Sequence, residues 1–275
     1  MTHGFKLSKN QKTHYSFNKT FGSTTVFPTE YFIDAKLTMP DQNVAGLPNG
    51  CTAEGLTDLA TDQDLTIYSA EWQFKKSWEL AGDPNNEGPM TAEQATAVLW
   101  KKGLLPKNFE GVENEETVAA LYRRPVFFIE KNGDWVNSVK SAMTIMPEKR
   151  GVGVGTKWYA EFEAVGNDGI LNENPQIVTG GHFYDIKGWT QKNSKGEWIR
   201  NGEVFFIAKT WQGPDYGDKG YVYISYELFD KLMNDWGTKA LTIKDTTPGE
   251  IQTIEISLLT RIRDLWNQIL NLLRR

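Results

Sequence analysis

A single cysteine, Cys51, is the residue of this 275-residue chain best suited to nucleophilic chemistry. It follows a glycine-rich loop, residues 41–50, and opens a stretch in which Ala53, Leu56 and Leu59 recur at helical spacing. A cysteine at the first residue of a helix faces backbone N–H groups and the positive end of the helix dipole, which favour the thiolate. The sequence therefore predicts a thiolate nucleophile, against the general tendency of a lone cysteine to be a small buried hydrophobe.

His182 and Gln42 offer the other groups that thiol chemistry requires. A thiolate nucleophile needs a base that accepts and returns a proton, and donors for the developing oxyanion. His182 follows two glycines at the start of a β-prone run and can act as that base. Gln42 can donate a side-chain N–H to the oxyanion, and the Cys51 backbone N–H is a second donor. Taken one at a time, His182 would be a structural histidine and Gln42 a solvated loop residue.

The elements that must position these groups divide the chain into a helical first half and a β-rich second half, an α+β class. Residues 27–42 are expected to be mostly extended. Periodicity and capping patterns predict helices over 51–62, 69–80 and 91–102, with shorter helices at 115–122 and 134–143. The β-prone runs are 158–164, 182–189, 203–209 and 220–225. Residues 151–157 lack phosphate-loop spacing, and their glycines predict a hairpin or bulge.

Both ends of the chain differ from its middle. Residues 1–26 are polar and predict an N-terminal extension, residues 27–247 form one domain, and residues 248–275 are a linker and an amphipathic helix. The apolar stripe of this C-terminal helix is Leu258, Ile262, Leu265, Ile269 and Leu272, widened by Leu259, Trp266, Leu270 and Leu273. The stripe Leu258–Leu273 predicts self-association or an assembly partner, with a membrane surface and the chain's own domain as the alternatives.

Composition excludes several classes of function. The formal net charge is −5, and no Lys/Arg cluster is interleaved with aromatic residues, so nucleic acid is not expected as a partner. One cysteine forms no internal disulfide, and none of the three histidines has metal-ligand spacing to a second ligand. No metal or other cofactor is expected. The N-terminus lacks the apolar run of a secretory signal, which leads us to expect a cytoplasmic location in the producing cell.

Taken in order, these segments resemble the papain-like cysteine peptidases from about Phe27 to about Ser225. The matching segments are Asp41-Gln42, Cys51-Thr52-Ala53, Tyr68-Ser69, Asn86-Glu87-Gly88, Trp100-Lys101-Lys102-Gly103, Gly181-His182-Phe183, Lys187-Gly188-Trp189 and Phe205 to Tyr221. The resemblance implies a two-lobed fold, with a helical lobe and an antiparallel β-sheet or barrel lobe. It also implies hydrolysis of peptide or protein substrates through an acyl-enzyme on Cys51, with His182 as general base and acid and Gln42 as oxyanion donor.

The chain departs from the family pattern at Lys209. The family places there an asparagine that accepts a hydrogen bond from the catalytic imidazole, and lysine cannot accept one. Thr210 or a backbone carbonyl would orient His182 instead, and Lys209→Asn is then expected to keep or raise activity. Trp211 resembles the tryptophan that shields this bond from water. The interval from Gln42 to the nucleophile is also longer than usual and lacks the family's disulfide-forming cysteine.

Two other functions compete with the peptidase hypothesis. The first is a catalytically degenerate papain-like module with a structural or binding role, virion-associated and assembled through its C-terminal helix. The second is acyl transfer to an amine, as in transglutaminase-like relatives of the fold. The lack of disulfides and of a signal peptide indicates a prokaryotic or phage relative.

Overall fold

The structure, a computed structural model, describes residues 15–16, 26–110, 114–145, 150–235 and 237–244. Within these ranges the helices are α1 Cys51–Asp64, α2 Ala70–Leu80, α3 Ala92–Lys101, α4 Glu115–Ala120, α5 Trp135–Thr144, α6 Ala160–Glu163 and α7 Tyr226–Met233. The strands are β1 Tyr15–Ser16, β2 Tyr31–Phe32, β3 Val126–Phe128, β4 Val152–Tyr159, β5 Val178–Thr190, β6 Phe205–Lys209, β7 Tyr221–Ser225 and β8 Lys239–Ile243.

The strands form one sheet in the order β1-β3-β8-β4-β5-β6-β7, and β2 also pairs with β5. Every strand pair is antiparallel except β1 with β3, which is parallel. The 13-residue strand β5 pairs with β6 on one side; on the other side it pairs with β4 up to Ile186 and with β2 at Gly188 and Trp189. The predicted α+β class is confirmed. The sheet is open, however, so the described strands do not form the barrel that the resemblance allowed.

The three long helices of the first half begin and end where their local signals predict. Ser69 caps α2 by accepting from the Trp72 N–H at 3.1 Å. Thr91 and Gln94 form a capping box at the start of α3, in which each side chain accepts from the other residue's backbone N–H. These signals are short-range, so they persist whatever the rest of the fold does.

The region after residue 150 differs from the prediction in several places. Residues 152–159 form strand β4 rather than a hairpin, and residues 160–163 form helix α6 rather than a strand. Helix α7 and strand β8 were not predicted. In the segment 27–42, which was predicted to be mostly extended, β2 covers two residues only. The predicted helix at 253–275 and most of the extension at 1–26 lie outside the described residues.

Side chains alternate across β5 and separate the two cores. Phe183 and Asp185 lie on the face that α1 covers, where a Cβ added at Gly55 would be 2.6 Å from the Phe183 ring. Tyr184 and Ile186 lie on the other face, in a core completed by α5 and α7. Helix α1 therefore joins the helical half to the sheet directly, by packing against β5.

Gly55→Ala is expected to lower the free energy of unfolding by about 1 to 2 kcal/mol. Alanine raises helix propensity by about 1 kcal/mol, but a Cβ only 2.6 Å from the Phe183 ring puts the overpacking cost in the upper part of its usual range, about 2–3 kcal/mol. The added methyl would also be 3.1 Å from Asp185 Oδ1. Urea unfolding checks the loss, with the exposed Gly166→Ala as a control that stays within about 0.5 kcal/mol of wild type. A Gly55→Ala protein as stable as wild type would show that the interface has room.

Candidate active site

Cys51 is the first residue of α1, and it is fully buried. The N-cap of α1 is Gly50, which has no side chain to cap the helix. The N-cap residues of α2, α3, α4, α5 and α7 each accept a hydrogen bond through their side chains: Ser69, Thr91, Asn114, Asp134 and Ser225. The N-terminal turn of α1 thus keeps its positive end uncapped by a side chain, which favours a negative charge on the Cys51 sulfur.

Gln42 is buried in the loop that precedes α1. Its backbone N–H donates to the Trp211 carbonyl at 2.9 Å, and Asp41 forms an antiparallel bridge with Gln212. Its side-chain Nε2 donates to the Pro48 carbonyl at 2.9 Å, which fixes the amide within the loop. The additional loop residues therefore fold back onto Gln42 and leave it next to the segment after β6.

His182 lies on β5 opposite Thr156 of β4 and is buried. Its ring centroid is 4.5 Å from that of Trp158 and 6.4 Å from that of Tyr184. Strand alternation gives the imidazole the same face as Tyr184, and the next residue, Phe183, faces α1. The imidazole is thus packed by aromatic rings from two strands, a setting that restricts its orientation.

Hydrogen bonds and ring contacts connect the segments that carry Gln42 and His182. Trp211 Nε1 donates to the carbonyl of Phe183, the residue after His182, at 2.8 Å. Gln212 Nε2 lies 3.4 Å from Glu163 Oε2, on the short helix that directly follows β4. Strand β4 in turn supplies the tryptophan that packs on the imidazole. The segments that carry the predicted base and oxyanion donor therefore surround one end of β5.

The register of α1 along β5 brings the nucleophile to the same end. Asp62 lies against Lys187, with 2.5 Å between Oδ2 and Nζ, and two turns earlier Gly55 lies against Phe183. Helix and strand thus run in the same direction. One further turn towards the N-terminus places Cys51 level with the segment at His182.

Thr210 and Trp211 continue β6 into this region. The Thr210 hydroxyl donates to the Gly220 carbonyl at 3.4 Å. Towards any other group it can therefore act only as a hydrogen-bond acceptor. By alternation from Lys209, Thr210 lies on the His182 face of the sheet. Trp211 is fully buried, and its indole N–H is bonded to the strand that carries the imidazole.

Lys209, the residue that departs from the family pattern, forms ion pairs with carboxylates of other segments. Its Nζ lies 2.7 Å from Asp58 Oδ1 and 3.3 Å from Asp34 Oδ1. In the β5–β6 strand pair, Lys209 is the residue opposite Asp185. The ammonium is therefore directed towards α1, on the sheet face opposite His182. We therefore no longer expect Lys209→Asn to keep or raise activity, because the substitution would remove a counterion that two buried carboxylates share.

Lys209 belongs to a buried ion-paired cluster that the sequence analysis missed. A second buried lysine, Lys187, forms ion pairs with Asp58, with Asp62 at 2.5 Å and with Asp185 at 3.7 Å. Burial opposes the charge of Lys187, but attraction from these carboxylates raises its pKa well above the ordinary value. Burial raises the pKa of Asp185 well above the usual carboxyl range. The sequence did contain a signal for this cluster: Asp58, Asp62 and Lys187 are charged residues within stretches whose other residues are mostly apolar.

Other kinds of site find no support among the residues that the structure describes. No group of three or more His, Cys, Asp or Glu is arranged there to hold a metal ion. None of the described helices has both the length and the apolar character needed to cross a membrane.

Comparison with known proteins identifies the fold. No protein-family model and no curated protein sequence matches the chain. Among solved structures, it is similar to xylellain, a cysteine protease from Xylella fastidiosa, with a TM-score of 0.67 and 15% identity over 89% of this chain and 96% of that one. It is similar to procathepsin B S9 from Trypanosoma congolense, with a TM-score of 0.59 and 12% identity over 89% and 86% of the two chains.

A third similar structure is the bromelain protease from Ananas comosus in complex with an inhibitor. The TM-score is 0.54 and the identity 16%, over 80% of this chain and all of that one. The chain therefore has the papain-like fold of cysteine proteases. The predicted resemblance is confirmed as a resemblance of fold.

Proposed function

We propose that this protein is a cysteine peptidase that hydrolyses peptide bonds through an acyl-enzyme on Cys51. The observation that carries the proposal is the position of the sole cysteine, at the uncapped N-terminus of α1 in a papain-like fold. The similar structures are described as proteases, which supports the same chemistry here.

In the proposed reaction the Cys51 thiolate attacks the carbonyl carbon of the scissile peptide bond. The oxyanion that forms accepts hydrogen bonds from the Cys51 backbone N–H and from the Gln42 side-chain amide. One amide hydrogen of Gln42 is bonded to the Pro48 carbonyl, and the oxyanion role requires the other one. Collapse of the intermediate breaks the C–N bond, and the leaving amine takes its proton from His182.

His182 then removes a proton from water as the water attacks the thioester. The second oxyanion collapses with cleavage of the C–S bond, which releases the acid product and regenerates the Cys51 thiolate beside the His182 imidazolium, which holds the proton taken from water. For this cycle the imidazole needs an acceptor that holds its second N–H. We assign that role to Thr210, which follows the last residue of β6 and would face the His182 side of the sheet if the alternation of β6 continues by one residue. Trp211 would cover this bond against water.

The peptidase function is preferred to a degenerate papain-like module. Lys209 was the main departure from the family pattern, and its ion pairs with Asp58 and Asp34 give it a separate structural role. The residue types that the proposed reaction needs as nucleophile, base and oxyanion donor are all present in the chain, at Cys51, His182 and Gln42. No observation favours acyl transfer to an amine over hydrolysis.

An epoxysuccinyl inhibitor of cysteine peptidases tests the proposal directly. Because the chain has one cysteine, intact-mass measurement should show a single adduct, and peptide mapping should place it on Cys51. The adduct should form in the native protein much faster than in protein unfolded in urea, since only the folded site activates the sulfur. Equal rates in the two states would contradict an activated thiolate.

Gln42→Ala is expected to lower kcat about 10² to 10³-fold with little change in KM, because an oxyanion donor acts mainly in the transition state. Steady-state hydrolysis of an unstructured fluorogenic peptide measures the effect. The matched control is Asn43→Ala, which alters the next, exposed residue of the same loop. If both variants retain wild-type kcat, Gln42 is not the donor.

A further inference from the structure

A cavity lies beside α1, outside the candidate active site. Its volume is about 530 Å³, within the range of pockets that hold small molecules. It is lined by one side of α1, by the segment 38–47, by residues 67–71 and by Lys107. Neither Cys51, Gln42 nor His182 takes part in its wall, so it can be occupied without blocking the proposed chemistry.

Glu54 is the notable residue of this wall. Its side chain is about nine-tenths buried, with 8% of the residue exposed. Among the residues that the structure describes, its carboxyl makes no hydrogen bond and no ion pair within 4.0 Å. Asp58, one turn further along α1, is neutralised by Lys187 and Lys209, whereas Glu54 has no such counterion. A buried carboxylate without a partner is costly, and a cationic ligand would remove the cost.

Apart from Lys107, the side-chain hydroxyls of the wall that lie along α1 and at Thr38 offer acceptors rather than donors. The Thr57 hydroxyl donates to the Ala53 carbonyl at 3.0 Å, and the Thr61 hydroxyl donates to the Thr57 carbonyl at 2.9 Å. The Thr38 hydroxyl donates to Asp58 Oδ1 at 3.3 Å. Once these protons are committed, the hydroxyl oxygens present only lone pairs to the cavity. Ammonium and guanidinium groups carry donors alone, so they complement this wall.

We propose that the cavity binds a small organic cation, a primary amine or a guanidine, with Glu54 as the counterion. The two other charges of the wall that lie on exposed side chains, Glu71 and Lys107, are of opposite sign, so the buried Glu54 carboxylate disfavours an anion. Lys107, the one basic residue of the wall, is exposed and can move its ammonium into solvent. The site lies on the same helix as Cys51 but does not depend on the peptidase function.

Binding should strengthen with rising pH. Burial raises the pKa of Glu54 to about 7; Lys107 and Lys209 lower it, and Asp58 raises it. Near pH 6 the carboxyl is mostly protonated and offers no charge, whereas near pH 8 it is ionised and attracts the cation. An ammonium with a pKa near 10 stays charged over this range, so the change in affinity reports the carboxyl.

Isothermal titration calorimetry with n-butylammonium chloride at pH 8 tests the site in the full chain, with 1-butanol as the neutral probe. Wild type should bind the amine saturably and the alcohol at least about tenfold more weakly. Glu54→Gln keeps the size of the side chain, and it should weaken amine binding about tenfold or more. Glu227→Gln removes an exposed carboxylate elsewhere and should leave binding unchanged.

Three results would overturn the proposal. One is the absence of saturable binding up to about 10 mM amine, well above a millimolar Kd. Another is equal affinity for the amine and the alcohol. The third is wild-type affinity in Glu54→Gln. If that variant does not fold, the comparison of wild type at pH 6 and pH 8 still decides, because equal affinity at the two values would exclude an ionising counterion.

Discussion

Cys51→Ala is expected to reduce kcat for peptide hydrolysis by about 10⁵-fold or more. The chain has no other thiol, and no second nucleophile replaces the sulfur in the proposed acyl-enzyme. His182→Ala should be similarly damaging, and the double variant should be little worse than either, because nucleophile and base act as a unit. Hydrolysis of an unstructured fluorogenic peptide under steady-state conditions measures all three.

The stability of Cys51→Ala separates chemistry from folding. The substitution removes one buried sulfur and should cost about 1 kcal/mol, so the unfolding transition should stay close to that of wild type. A folded variant without turnover supports the peptidase proposal. A folded variant that retains wild-type turnover would end it, whatever the behaviour of His182→Ala.

Lys187→Met is expected to lower the free energy of unfolding at pH 7 by about 3–5 kcal/mol. The Lys187 side chain is fully buried and forms ion pairs with Asp58, Asp62 and Asp185. Methionine keeps the length of the side chain but takes the ammonium away from all three carboxylates, although Asp58 keeps its ion pair with Lys209. The pKa values of Asp62 and Asp185, which burial already raises, would rise further, so the lost stability should be largest where these carboxyls are ionised and should shrink as a falling pH protonates them.

Lys76→Met is the matched control. Lys76 also pairs with two carboxylates, Glu79 at 2.7 Å and Glu116 at 3.0 Å, but Glu116 is about half exposed. Solvent screens such pairs, and the loss should be below about 1 kcal/mol. Urea unfolding of both variants at pH 5 and pH 7 measures the difference. Equal losses at pH 7 would mean that the buried cluster contributes no more than a surface pair.

Local signals account for the part of the fold that the sequence predicted best. Ser69 and Thr91 cap their helices through atoms within a few residues, so the same contacts form in any context. Cys51 begins α1 after a glycine N-cap, as the spacing indicated. The papain-like resemblance depended on the order of several short segments, and similarity to solved structures confirms it as a fold.

The errors came from contacts between residues distant in sequence. The glycines of β4 indicate a turn when they are considered in isolation, yet Gly153 lies within the strand. Glycine is needed there because the Phe183 ring occupies the space that a side chain would take. Lys209 was aligned with an orienting residue, but strand register turns it towards Asp58. The open space at Glu54 likewise depends on segments that meet only in the folded chain.

The packing of α1 on β5 has a consequence for the way in which the two halves of the molecule move. Phe183 against Gly55 and Lys187 between Asp58 and Asp62 fasten a helix of the first half to a strand of the second at two levels. Separation of the halves would expose ion-paired groups and an aromatic ring together. The amides of Asp185, Ile186, Gly188 and Trp189, which have strand neighbours on both sides, should therefore exchange their hydrogens only through unfolding of the whole domain.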